Sequence, residues 1–243
     1  MRNIKLIVEY DGTDFCGYQS QVDDRTVQAE LQRSLSLLTN ETVKLTAAGR
    51  TDSGVHALGQ VVNFTTRSAL PLEAFLRGGN SRLPRDVLIL HVEEVPQDFS
   101  ARYSAKRRTY QYWISKRRKA VGRQYAWHYW NSLDLEKLNA ACTPILGVHD
   151  FKSFCQAKSN VLNYACDVRY AFWRQVDEYY IFEICANRFL HNMVRILVGT
   201  MVEMADPRQN QLLQMADILQ AGNRDAAGAT APAPGLFLLK IEY

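Results

Sequence analysis

The chain has 243 residues, enough for one large domain or two small ones, and it can bury roughly 70–75 % of the surface its unfolded form exposes. Hydrophobic residues make up 47 % and charged residues 22 %, the balance of a soluble globular protein, and no apolar run approaches the ~20 residues that cross a bilayer. The net charge of +4 is unevenly spread: nine of the 29 Lys/Arg fall between Ala101 and Tyr125 with no Asp or Glu among them, so the remainder is net acidic and that one segment points to a polyanionic partner.

The first residues, MRNIKLIVEYDG, read as a strand rather than a cleavable leader, so a cytoplasmic protein without a membrane segment is expected. Residues 3–10 place Ile4, Leu6, Val8 and Tyr10 on one face, and Asp11-Gly12 makes a turn. Thr26 is placed to N-cap a helix with Val27, Leu31, Leu35 and Leu38 on one stripe. Strands are expected at 43–48 and 60–65, flanking a loop that contains Gly49 and Gly54. A short helix over 72–76 ends at Gly78-Gly79, and a strand covers 87–95.

In the second half, 109–115 (TYQYWIS) is an aromatic strand, with Tyr110 and Tyr112 on one side and Gln111 and Trp113 on the other. Asp134 caps a helix bearing Leu135, Leu138, Cys142 and Ile145. Residues 164–176 and 179–186 form a hairpin around Asp177-Glu178. A long apolar helix spans 189–205 and stops at Pro207; another covers 210–220; a final strand runs 236–243. The pattern gives an α+β chain of two units, 1–104 and 105–243.

Three places carry groups capable of chemistry. The loop AAGRTDSGVHA, from Ala47, holds Arg50, Asp52 and His56 between two strands. Asp52 fits either a catalytic carboxylate at the end of a sheet or an Asx-turn that bonds its own backbone; His56 fits a packed loop histidine. The basic stretch interleaves Tyr103, Tyr110, Tyr112, Trp113 and Tyr125 with its cations, which suits phosphates and unstacked bases as well as a solvated hairpin with core aromatics. Arg195 stands among apolar residues of the 189–205 helix. It requires a buried anionic partner or a path to solvent at the helix edge.

Other chemistries lack their signatures. There is no Walker loop, GxGxxG, HExxH or GxSxG motif, and His56, His91, His128, His149 and His191 include no i, i+4 pair. The five cysteines, Cys16, Cys142, Cys155, Cys166 and Cys185, form no CxxC pair, so neither a structural zinc site nor a disulfide framework is expected.

Seven segments in order resemble the bacterial tRNA pseudouridine synthase A family. They are YDGTDFCGYQSQ from Tyr10, AAGRTDSGVHALGQVVNF from Ala47, NSRLPRDV from Asn80 and FSARYSAKRRTYQYWI from Phe99, then HDFKSF from His149, NRFLHNMVRILVG from Asn187 and TAPAPGLFLLKIEY from Thr230. Tyr18 stands where tryptophan is commoner, and Ser53 where alanine is commoner. The resemblance implies two ferredoxin-like α+β halves whose antiparallel sheets join into one central sheet with a catalytic cleft. It implies Asp52 as the essential aspartate, Tyr110 as the ring packed on the target base, and Arg195 as the partner of the carboxylate. Arg50 would help displace the flipped base, with Lys106, Arg107 and Arg108 as further RNA contacts. It also implies a homodimer acting on tRNA uridines at positions 38, 39 and 40, with neither metal nor cofactor. Two other readings of the same residues are an RNA-binding module and a glycoside-type hydrolase; the latter needs a second carboxylate, and the Asp52 loop contains none.

Overall fold

The computed structural model describes residues 1–156, 162–208 and 214–243. In chain order the elements are β1 (Arg2–Tyr10), α1 (Val27–Thr39), β2 (Thr46–Ala47), β3 (His56–Thr66), α2 (Leu72–Asn80), β4 (Val87–Val95), β5 (Arg107–Ser115), β6 (Trp127–His128), α3 (Leu135–Ala140), β7 (Gly147–Asp150), β8 (Ala165–Val176), β9 (Tyr179–Ala186), α4 (Met193–Ala205), α5 (Met215–Ala221) and β10 (Leu236–Glu242). They form two compact α+β units, Met1–Lys106 with Phe237–Tyr243, and Arg107–Leu236. The sequence assigns the last strand to the second half. In the structure Phe237–Tyr243 belong with the first, where β10 runs parallel to β3, Phe237 opposite His56 and Leu238 opposite Ala57. Gly59 permits this approach: a Cβ there would sit 2.4 Å from the Leu239 carbonyl oxygen.

In the first unit the strand order is β4-β1-β3, with β1 antiparallel to both neighbours. Ile4, Leu6, Val8 and Tyr10 are all buried, as their alternation predicts. α2 packs on this face through Phe75, edge-on to Phe64 at 5.9 Å. α1 lies beside α2, where Ser34 Oγ donates to the Gly79 carbonyl at 2.9 Å. Gly78-Gly79 was expected to end the helix, yet α2 runs through both. Their role is close packing: an added Cβ would lie 2.8 Å from a Leu38 methyl at Gly78 and 2.7 Å from an Ile89 methyl at Gly79. On the opposite face Asn3 and Asn63 are buried but satisfied. Asn63 Nδ2 donates to Asn3 Oδ1 (2.9 Å), and Asn63 Oδ1 accepts from the Ala101 amide (2.8 Å), which pins the 96–101 segment.

In the second unit β5-β9-β8-β7 is antiparallel throughout. Tyr112, Trp173 and Phe182 are buried on one face, and Trp173 Nε1 points at Met201 Sδ of α4. Asp134 caps α3 as expected, accepting from the amides of Glu136 and Lys137. The hairpin turn is at Asp177, which takes a left-handed φ of 50°. Part of the helix expected at 210–220 lies outside the described residues; α5 begins at Met215. None of the five cysteines is in a disulfide, and only Cys16 is exposed; burial pushes Cys142 up to about 12 and Cys166 to about 11. Among the described residues no helix is long and apolar enough to cross a membrane.

Thr26 precedes α1 as predicted, but its side chain caps nothing and its buried hydroxyl has no hydrogen-bond partner. The orphan amides of Val27 and Gln28 donate instead to the Gly17 (3.3 Å) and Tyr18 (2.9 Å) carbonyls. Thr26→Val is therefore expected to leave the urea midpoint unchanged or raise it. A hydroxyl acting as cap would instead make the change cost about 1 kcal/mol.

Candidate active site

Asp52 is half-buried in the loop between β2 and β3. Nearly every residue around it is fixed. The Ala48 amide donates to the Val61 carbonyl (2.9 Å), Gln60 Nε2 to the Gly49 carbonyl (3.0 Å), and the Val55 amide to the Asp52 carbonyl (3.2 Å). Thr51, just before the aspartate, is held twice: Tyr10 Oη and Thr51 Oγ1 are 2.7 Å apart, and the Tyr18 amide donates to the Thr51 carbonyl at 3.0 Å. Burial raises the Tyr10 phenol to about 12, with the hydrogen bonds to Thr51 and Gln60 acting against the rise. On the other side of Asp52, Ser53 Oγ (3.1 Å) and the Gly54 amide (3.4 Å) both donate to the Phe15 carbonyl.

The backbone of residues 12–18 thus forms one wall of the aspartate loop, and glycine is what allows it so close. A Cβ on Gly12 would be 2.1 Å from the Val55 carbonyl oxygen; Gly17 has φ of +95° and would bring a Cβ to 2.9 Å from the Thr51 carbonyl oxygen. Gly54 takes a positive φ (75°), whereas Gly49 does not and faces open space. His56 is packed: it is 1 % exposed, its Nδ1 accepts from the Gly12 amide at 3.0 Å and lies 3.1 Å from Asp11 Oδ1, and its ring stacks on Phe237. Arg50 is exposed. Of the two departures from the family pattern, Ser53 supplies a hydrogen bond that alanine could not. Tyr18 is buried, with a hydroxyl that has no partner.

In the second unit Tyr110, on β5, is 8 % exposed and meets Phe189 edge-to-face at 5.1 Å. On the opposite face Gln111 Nε2 donates to the Glu183 carboxylate at 2.7 Å, and Trp113 Nε1 donates to Gln111 Oε1 at 3.3 Å. Burial works to raise Glu183, but hydrogen bonds from Gln111, Arg174 and Tyr170 outweigh it and hold the carboxyl below its ordinary range.

Arg195 lies nearer the start of its helix than the sequence predicts. The helix begins at Met193, not at Phe189, because Asn192 adopts a left-handed φ of 61° immediately before it. Arg195 is therefore half-buried in the first turn rather than inside an apolar helix. Its Nε donates to the Ala231 carbonyl (2.7 Å) and Nη1 to Asn192 Oδ1 (3.0 Å), while its own carbonyl accepts from the Ala231 amide (3.0 Å). Tyr112 Oη donates to the next carbonyl, that of Pro232, at 2.7 Å. Asn192 accepts from the Arg195 guanidinium through its Oδ1, and Phe189 packs edge-on against the Tyr110 ring. No periodicity flags either, since both act from irregular backbone.

The basic stretch is partly consumed internally. Arg107 pairs with Asp167 (3.3 Å), Arg108 donates to the Asn187 carbonyl (2.7 Å), Lys119 pairs with Glu178 (2.6 Å) and Lys116 lies 4.6 Å over the Tyr180 ring. Arg102, Lys106, Arg117, Arg118 and Arg123 are exposed. Among the described residues no group of His, Cys, Asp or Glu is placed to hold a metal ion.

Residues 6–104 and 141–243 match the family model of tRNA pseudouridine synthases. The chain is 45 % identical over 240 residues to tRNA pseudouridine synthase A of Halalkalibacterium halodurans, covering 97 % of this chain and 90 % of that one. It is 41 % identical over 245 residues to tRNA pseudouridine synthase A of Caldicellulosiruptor bescii, covering both chains completely. It is 42 % identical over 246 residues to that of Moorella thermoacetica, covering 99 % of each. A solved archaeal box H/ACA sRNP Nop10-Cbf5 complex is a distant likeness, with TM-score 0.36 and 10 % identity over 91 % of this chain and 59 % of that one. The chain belongs to the tRNA pseudouridine synthase family and is an isomerase that pseudouridylates tRNA.

Gly12→Ala drives a methyl into the backbone at Val55, which cannot rotate away. It is expected to cost about 1–3 kcal/mol in a thermal melt and to lower pseudouridine formation in the same preparation.

Proposed function

We propose that this enzyme converts uridines 38, 39 and 40, on the 3′ side of the tRNA anticodon arm, to pseudouridine with Asp52 as nucleophile. The observation that carries the reading is the fixation of the Asp52 loop from both sides by Thr51, Ser53 and Gly54. A side chain that served only a surface turn would not require such a frame. A group that must meet one carbon of a substrate does.

The reaction breaks the N1–C1′ bond, turns the base and joins C5 to C1′. The proton lost from C5 is balanced by one gained at N1, so no redox partner or group donor enters. A carboxylate is a nucleophile at neutral pH without a neighbouring base. Attack at C1′ or at C6 places the same demand on it, a fixed approach to a base already out of its stack. Arg195 is assigned as its cationic partner. Two of the guanidinium nitrogens rest on Ala231 and Asn192, an arrangement that supports a fixed orientation for the charge. Tyr110, braced by Phe189, is assigned to stack on the target base, and Tyr110 or Asp52 to accept the C5 proton. Flipping a base costs a few kcal/mol, and stacking on Tyr110 offsets part of it. Arg50 would displace the flipped base, with Lys106, Arg107 and Arg108 contacting RNA; the exposure of Arg50 and Lys106 supports this most directly. The enzyme would act as a homodimer in the cytoplasm, without metal or organic cofactor.

Asp52→Asn is expected to release no tritium from tRNA labelled at uridine C5 while binding tRNA within about twofold of the unaltered enzyme. Turnover by that variant would remove Asp52 from its role, and free uracil among the wild-type products would show a hydrolase instead.

A further inference from the structure

We propose that Arg25 is a positioning residue for the catalytic loop, acting through Phe15 and without touching RNA; this deepens the reading of Asp52 as nucleophile and rests on it. The Phe15 carbonyl is the shared acceptor for the two residues that follow Asp52, Ser53 Oγ at 3.1 Å and the Gly54 amide at 3.4 Å. Any tilt of the Phe15 peptide is therefore passed directly to the backbone carrying the carboxylate.

What fixes that peptide is Arg25, by three routes. Its carbonyl accepts from the Cys16 amide at 2.9 Å. Its guanidinium lies 4.0 Å over the ring of Phe15, itself 2 % exposed. Its Nη1 and Nη2 donate to the two oxygens of Asp86 at 2.8 Å each, a forked pair that sets the plane of the group. Asp86 closes the circuit, since its carbonyl accepts from the Asp11 amide at 3.0 Å. The 11–16 turn is thus held at its start by the Asp86 backbone and at Phe15-Cys16 by Arg25. Exposed ion pairs contribute little to global stability. With a side chain 37 % exposed, Arg25 is placed to matter more for the precision of the loop than for the survival of the fold.

The test is steady-state tritium release with Arg25→Gln, Asp86→Asn and the double variant, alongside melting curves and tRNA affinity. Arg33→Gln, an exposed arginine on α1, is the control. A displacement of about 1 Å at a reacting group costs on the order of 100-fold in rate. The expected result is a kcat lowered roughly 10- to 100-fold in each single variant, with KM and tRNA affinity within about twofold and melting temperatures close to the unaltered enzyme. The double variant should be no slower than the worse single, because both changes break one device. An unchanged kcat overturns the proposal. So does a loss confined to KM and tRNA affinity, which would make Arg25 an RNA contact. A loss matched by global destabilisation, or singles that multiply in the double, overturns it too. Should Arg25→Gln fail to fold, Asp86→Asn alone decides by the same readouts. A wild-type enzyme that released no tritium would overturn the reading of Asp52 and this proposal with it, whereas an active wild type with an unimpaired Arg25→Gln variant overturns the proposal alone.

Discussion

The carbonyl of Phe15 accepts from Ser53 Oγ and from the Gly54 amide, and three residues later the Tyr18 amide donates to the Thr51 carbonyl. These contacts join two stretches of backbone that lie more than 30 residues apart in sequence. They hold the backbone on both sides of Asp52, at Thr51 and at Ser53-Gly54. A loop of eight residues on its own samples many conformations, and fixing each residue costs roughly 1–2 kcal/mol of backbone entropy. Cross-bonding it to a second segment spreads that cost over a fold that is being ordered in any case.

The same segment also serves α1. The Gly17 and Tyr18 carbonyls take the first amides of the helix, so the helix terminus, the turn after β1 and the aspartate loop are one hydrogen-bonded unit. That is why Thr26 caps nothing, and why the glycines that matter most are Gly12 and Gly17 rather than Gly49. The second unit uses the same device around Arg195. A left-handed Asn192 starts the helix late, and the Ala231 backbone holds the arginine at both its carbonyl and its Nε. Gly199 lets the 229–231 backbone lie against α4, since a Cβ there would overlap the Ala229 carbonyl.

Much of this was legible in the residues. The alternation in β1, the Asp134 cap, the 165–186 hairpin and the aromatic strand β5 each follow from local pattern, and local pattern is what propensity and periodicity encode. Elsewhere the structure departs from the local pattern. Gly78-Gly79 looked like a helix stop and is a packing surface; 189–192 looked helical and is irregular; the last strand looked like part of the second unit and pairs with the first. At Gly78-Gly79 and at the last strand a partner distant in sequence overrode the local preference, and at 189–192 the left-handed backbone of Asn192 did.

The sequence alone determined that the chain is α+β, that a basic aromatic strand and a glycine-bearing Asp loop exist, and, through ordered motifs, which family it joins. Those properties reside in residue type and short-range spacing. Only the tertiary structure decided how the Asp52 loop is held, that Arg195 sits in a first turn on Asn192 and Ala231, and that Phe15 and Arg25 lie behind the Asp52 loop. Hydrogen bonds between segments tens of residues apart depend on where folding brings two backbones, and no periodicity in either segment records its partner.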